Sequence, residues 1–205
     1  MSSIAMHIWG QSSARAMKIL IVISVLFISV SQATVGRQND VSARVSQVVA
    51  LLPNEPKLAR KHLLALGPSA FPYVLRIVRE DAGLGMIKKT FLIDVIARSK
   101  TKQSGSALIE LLTDTDPYVR GLAASYVGKR RYRAAVPHLI KLLDDKGVYV
   151  TQLQTDPERH EPVLVRDKVM EALQGITGRT MDTRSTQDER AAAWVRWWEK
   201  QQRSK

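Results

Sequence analysis

Ala70-Phe71-Pro72-Tyr73-Val74-Leu75-Arg76-Ile77-Val78 returns further along the chain as Ala135-Val136-Pro137-His138-Leu139-Ile140-Lys141-Leu142-Leu143. A weaker copy, Ser104-Gly105-Ser106-Ala107-Leu108-Ile109-Glu110-Leu111-Leu112, stands between them, so starts at 70, 104 and 135 lie 34 and then 31 residues apart. A period of that length denotes one supersecondary unit stacked on others rather than a single closed core. The mode of work it implies is recognition along an extended surface.

The flanking sequence supplies the partner helices. Val41, Val45, Val48, Val49 and Leu52 fall three and four residues apart, which predicts a helix over 41–52 that Pro53 and Pro56 stop. Lys57 to Leu66 follows as a helix with Gly67 as a left-handed cap, and Ser69 opens the first copy, which runs to Glu80. Met86 to Arg98 and Ser104 to Leu112 form the next pair. In the third unit Asp116 is suited to accept from unpaired amides, and Pro117 stands where a missing N–H costs nothing. That helix runs to Gly128 and its partner from Arg133 to Leu143, while Pro72 and Pro137 both fall in first turns. Lys146 to Pro162 breaks the rhythm: Val148 to Leu153 is extended in character, Thr155 to Glu158 reads as a turn, and Val163-Leu164-Val165 returns as a short strand. Val165-Arg166 resumes the helical plan to Gly178, a polar link spans Arg179 to Thr186, and a last helix runs from Gln187 to Gln202.

The fold class predicted is all-α: a solenoid of stacked antiparallel helix pairs over 41–178, carrying a small protruding hairpin or loop insert near 146–162 and followed over 179–205 by a linker and a Trp-rich capping helix. The units resemble HEAT repeats, specifically the short HEAT-like type of bacterial proteins and phycobilin lyase subunits. Asp116-Pro117-Tyr118-Val119-Arg120, Ala123-Ala124, Val127-Gly128 and the 135–143 copy carry the resemblance, with echoes at Ile87-Lys88 and Val165-Arg166. It implies a right-handed superhelix with first helices outside and second helices lining a concave face, in a family that mostly binds proteins while some members grip DNA or act on bilins.

The first 35 residues differ from the rest. Arg15 and Lys18 precede the apolar run Ile19 to Val30, and Ser31-Gln32-Ala33 is small at its first and third places, which predicts a signal peptide over 1–33 cleaved near Ala33 and a flexible lead-in over 34–40. The run falls short of the roughly 20 apolar residues that span a bilayer, so an uncleaved N-terminal membrane anchor is the alternative reading. Met17 is an alternative start. The 205-residue chain is 45% hydrophobic and 24% charged, with 31 bases, 19 acids and a formal charge of +12. Removing Arg15 and Lys18 with the leader leaves 29 bases against the 19 acids, a mature charge of about +10. The absence of cysteine excludes disulfides, thiolate metal sites, a cysteine nucleophile and a lipid-modified cysteine.

His7, His62, His138 and His160 include no pair at the spacing that brings two imidazoles to one metal, and no phosphate cradle or nucleophile elbow is present. No catalytic, cofactor-binding or metal residues are therefore assigned, and no cofactor is expected. If Val74, Leu75, Ile77 and Val78 face neighbouring units, Tyr73 and Arg76 are left on the open side, with Ala107 and Glu110, then His138 and Lys141, at the matching positions. Tyr73, Arg76, Arg79, His138 and Lys141 are the candidate partner-binding residues. Lys129, Arg130, Arg131 and Arg133, gathered in one interhelical turn, are candidate anion-binding residues. Lys88, Arg120 and Arg166 share one place in successive first helices, and the resemblance implies that such a base pairs with acids such as Asp114 or Asp116. Trp194, Trp197 and Trp198 share one helical face and are expected to cover the flank of the last repeat.

The function expected is that of an exported, non-catalytic scaffold, periplasmic or secreted, that docks a partner protein through its concave face or the 146–162 insert. The alternative is a basic module for polyanions such as nucleic acid, acidic lipid or a cell-surface polymer. Export argues against the lyases and DNA-repair glycosylases that share the resemblance.

Overall fold

The computed structural model describes residues 40–81, 83–99, 101–150, 162–182 and 184–204. The predicted leader and most of the lead-in lie outside these residues, as do Leu153 and the turn at Thr155 to Glu158. The chain divides after Gln47 into two compact units. Residues 40–50 are helical (α1); Asp40, placed in the flexible lead-in by the sequence, already belongs to that helix and pairs with Arg44 at 3.0 Å.

Among its described residues the second unit holds four successive helix pairs: Pro56–Leu66 (α2) with Phe71–Glu80 (α3), Met86–Arg98 (α4) with Lys102–Leu111 (α5), Pro117–Lys129 (α6) with Val136–Lys141 (α7), and Val165–Thr177 (α8) with Gln187–Arg203 (α9). The first helices touch in succession, α2 on α4, α4 on α6 and α6 on α8, while α3 meets α5 and α7 meets α9. Neighbour-on-neighbour packing of this kind is what a short repeat needs to bury a face it cannot bury alone. The fold is all-α and HEAT-like. Among the described residues no helix is long and apolar enough to cross a membrane.

The copies found in the sequence occupy equivalent surroundings. Ala70 and Ala135 are both buried, as are Phe71 and Val136, Val74 and Leu139, and Val78 and Leu143. In both copies a 3-10 turn, Gly67–Ala70 or Arg133–Ala135, leads into an α-helix with proline in its first turn. The middle copy keeps the pattern with Ser104, Gly105, Leu108 and Leu112. It reads weakly because Ser104-Gly105 makes room for Tyr132: a Cβ at Gly105 would lie 3.0 Å from that ring, and the Ser104 and Tyr132 hydroxyls stand 3.1 Å apart.

Several ends differ from expectation. Pro56 does not stop the preceding helix but opens α2, in a position where proline forfeits no bond. Gly67 does close α2, yet at φ 62, ψ −155 it lies outside the left-handed helical well, in a region only glycine enters freely. Gly178, at φ 71, ψ 5, is the left-handed cap of α8. Thr101 starts α5 earlier than predicted, its hydroxyl accepting from the Ser104 amide at 3.1 Å, and Asp116 accepts from the Tyr118 amide at 2.9 Å as its position suggests. Thr186 and Glu189 form a reciprocal capping box for α9.

The insert begins and ends as a hairpin. Val148–Val150 (β1) pairs antiparallel with Val163–Leu164 (β2), Val148 opposite Leu164, and Val165 opens α8 rather than extending the strand. Its root does not protrude. Tyr149 stacks on Tyr118 of α6, with centroids 5.3 Å apart and planes 7° from parallel, and the ring fills the space where a Cβ at Gly121 would stand 2.3 Å away.

Candidate interaction surfaces

Most of the basic side chains near the helix seams are engaged within the protein. Asp94 of α4 gathers Arg60 of α2 at 3.3 Å, Arg98 at 2.6 Å and the Tyr126 hydroxyl of α6 at 2.9 Å. Burial, then the hydrogen bond and charge of Asp94, raise the Tyr126 phenol well above its ordinary pKa, so it stays a neutral donor. Lys89 reaches Asp116 at 2.6 Å, and Arg166 pairs with Asp188 and Gln187 of α9.

Arg120 does not form its ion pair with Asp114 or Asp116. It takes Asp145, just beyond α7, through two bonds of 2.7 and 3.0 Å, and also donates to the backbone carbonyls of Asp114 and Thr115. Burial pushes the Asp145 carboxyl upward, but the Arg120 hydrogen bond, the Gly147 amide and the Arg120 charge together outweigh it and hold the carboxyl below its usual range. A depressed carboxylate stabilises the fold above its unfolded-state pKa, and that stability is lost as pH falls through the folded value. Asp145→Asn is expected to cost about 2 kcal/mol at neutral pH, between the worth of exposed and fully buried pairs. Urea titrations at pH 7 and at successively lower pH check this: the wild-type advantage should shrink on acidification through the carboxylate range.

The candidate residues on the second helices fall into different situations. Tyr73 is half-buried, with the exposed Arg76 guanidinium 5.8 Å above its ring, and His138 and Lys141 are exposed on α7. Ala107, which the sequence aligns with Tyr73 and His138, is buried. Arg79 is not the additional open cation expected: it bonds Glu110 at 2.6 Å and that residue's carbonyl at 2.8 Å, with the buried Asp114 carboxylate at 3.4 Å. The arginine thereby ties α3 to α5.

The basic turn closes α6. Tyr132 N–H bonds the Val127 carbonyl and Arg131 N–H the Gly128 carbonyl, the two bonds of a Schellman motif. Glycine usually fills the left-handed position of that motif, yet here it is Arg131, at φ 52, where an L-residue carries roughly 1 kcal/mol of strain. Arg130 lies over the Tyr132 ring at 5.3 Å, and Lys129 stands 5.8 Å from the Tyr126 ring. Arg131 and Arg133 are exposed, and among the described residues Lys129, Arg131 and Arg133 have no acidic partner.

Beside this turn α6 and α8 approach closely enough that a Cβ at Gly128 would lie 2.6 Å from the Ala172 Cα. Two cavities flank the contact. One, of about 500 Å³, is walled by Lys129, Arg131, Tyr149 and Lys168; the other, of about 480 Å³, by Arg131, Arg133 and Ile176. Sequence reasoning missed Tyr149 and Lys168 here, since only the folded hairpin brings them to the turn. Among the described residues no group of three histidines or acids is placed to hold a metal ion.

Hairpins joined in register by neighbour-to-neighbour contacts define an α-solenoid repeat protein. Residues 89–155, from α4 into the insert, match the family described as HEAT repeats. No curated protein and no solved structure matches the chain. HEAT repeats commonly serve as protein-interaction scaffolds and are generally without catalytic machinery.

Proposed function

We propose that this protein is an exported, non-catalytic scaffold that holds a partner protein against the open side of its second helices, the concave face in HEAT architecture. The observation that carries the reading is that the repeat sets Arg76 of α3 and Lys141 of α7 at equivalent positions and both are exposed, with the exposed His138 one turn before Lys141 at the position matching Tyr73. Export rests on the charged, apolar and small-residue order of 1–33.

Reversing Arg76 and Lys141 to glutamate should lower capture of the crosslinked partner about tenfold, as loss of complementary charge does, while the melting temperature stays within about 2 °C. Crosslinking in the producing cell, followed by quantitative capture with each variant, measures this. Capture indifferent to the double reversal would transfer the contact to the 146–162 insert.

A polyanion-binding reading is favoured by one observation, the three cations of the α6–α7 turn that lack acidic partners among the described residues. Salt separates the two: polyanion binding should fall by orders of magnitude between roughly 50 and 200 mM salt, and a protein interface with an apolar centre far less.

A further inference from the structure

Arg131 and Gly175 line both cavities beside the end of α6, so the two adjoin there and together make a groove along α8. Each has the volume of a small-ligand pocket, roughly 300–1,000 Å³. Three cations without acidic partners among the described residues, Lys129, Arg131 and Arg133, come from a single turn, while Lys168 on the opposite helix is held by Glu171 at 2.9 Å. Leu122, Ala172 and Ile176 give the groove apolar walls, and Tyr149 flanks one end. Burial raises the Tyr149 phenol above its ordinary pKa, leaving its O–H a neutral donor at the rim.

This mixture selects among anions. A phosphate polymer needs an unbroken cationic track, and Glu171 interrupts it. An extended peptide presents alternate side chains to opposite sides, so its carboxylates can meet the turn while its other side chains lie on the apolar walls. The backbone of the turn points the same way: glycine would fit the position of Arg131 without strain, and what arginine adds there is a cation between the two cavities.

We propose that the groove between α6 and α8 docks an extended acidic segment of a partner protein, with Lys129, Arg131 and Arg133 pairing its carboxylates and Tyr149 bordering its end. The proposal rests on the reading of the chain as a protein-binding scaffold and adds a second, chemically distinct contact on the first helices.

The test uses the full chain and a fluorescein-labelled peptide of five Glu-Val repeats, followed by anisotropy. Arg131→Gly should weaken binding about tenfold with no fall in melting temperature, because the substitution removes a cation and relieves the backbone together. The double variant Lys129→Ser/Arg131→Gly should weaken it further, whereas Lys57→Gln/Lys61→Gln, an equal loss of charge on α2, should change affinity less than twofold. Equal weakening by the two double variants would reduce the effect to net charge and overturn the proposal. So would a 12-nucleotide single strand that binds more tightly than the peptide and is lost with Arg131→Gly, which would make the groove a phosphate site. The native partner does not enter this measurement, so its outcome and that of the Arg76/Lys141 experiment stand apart.

Discussion

Gly128→Ala is expected to lower the unfolding free energy by about 3 kcal/mol, the upper end of what forcing an extra carbon into a packed interior costs. The added Cβ would stand 2.6 Å from the Ala172 Cα and 2.9 Å from its Cβ. The nearest obstacle is backbone, so no rotamer change relieves it and α6 and α8 must part. Among the described helices these two share the most extensive contact, and Gly175 approaches the Gly128 carbonyl on the same side, where its own Cβ would lie at 3.2 Å. Urea denaturation of the purified chain measures the loss. Ala172→Gly should fail to rescue it, because the Cα remains where it was. Gly85→Ala, with no atom within 4 Å of the new carbon, should stay within about 0.5 kcal/mol of wild type.

Trp194→Ala is expected to cost about 4 kcal/mol, the range for deleting a buried aromatic side chain. Trp194 is 2% exposed and meets Trp197 edge to face at 5.4 Å. Trp197 and Trp198 in turn border a cavity of about 430 Å³ beside Pro137 of α7 and Ile176 of α8. Among the described residues α9 is joined to the other helices chiefly through α7 and through Arg166 of α8, so the loss should fall first on α9. Limited proteolysis should cut within 187–203 well before the preceding hairpins, and Trp194→Phe should restore most of the protection. Cleavage spread evenly over the chain would show that the last helix does not melt on its own.

Periodicity was enough to read the hairpins, because apolar spacing and first-turn prolines are local signals. Pro117 and Asp116, or the matched burial of 70–78 and 135–143, could be read from a few neighbouring residues. The polar seams could not. Arg79 to Glu110, Lys89 to Asp116, Asp94 to Tyr126 and Ser104 to Tyr132 are separated by 31, 27, 32 and 28 residues, each close to one repeat. Which acid a base meets depends on the rise and rotation between hairpins, and several acids lie within one turn of the right height. Arg120 shows the consequence: Asp114 and Asp116 are nearer in sequence, but Asp145 is where the guanidinium fork arrives with both branches. The groove was illegible for a related reason, since Tyr149 reaches it only because β1 folds back onto α6.

That fold-back separates address from message. The Val148–Leu164 pairing and the Tyr118–Tyr149 stack fasten both ends of the excursion to one place on α6, while the repeat itself runs on from α7 to α8. The start and the return of the insert are therefore anchored by the same helix, so the step from α7 to α8 keeps its register whatever the sequence between the two strands.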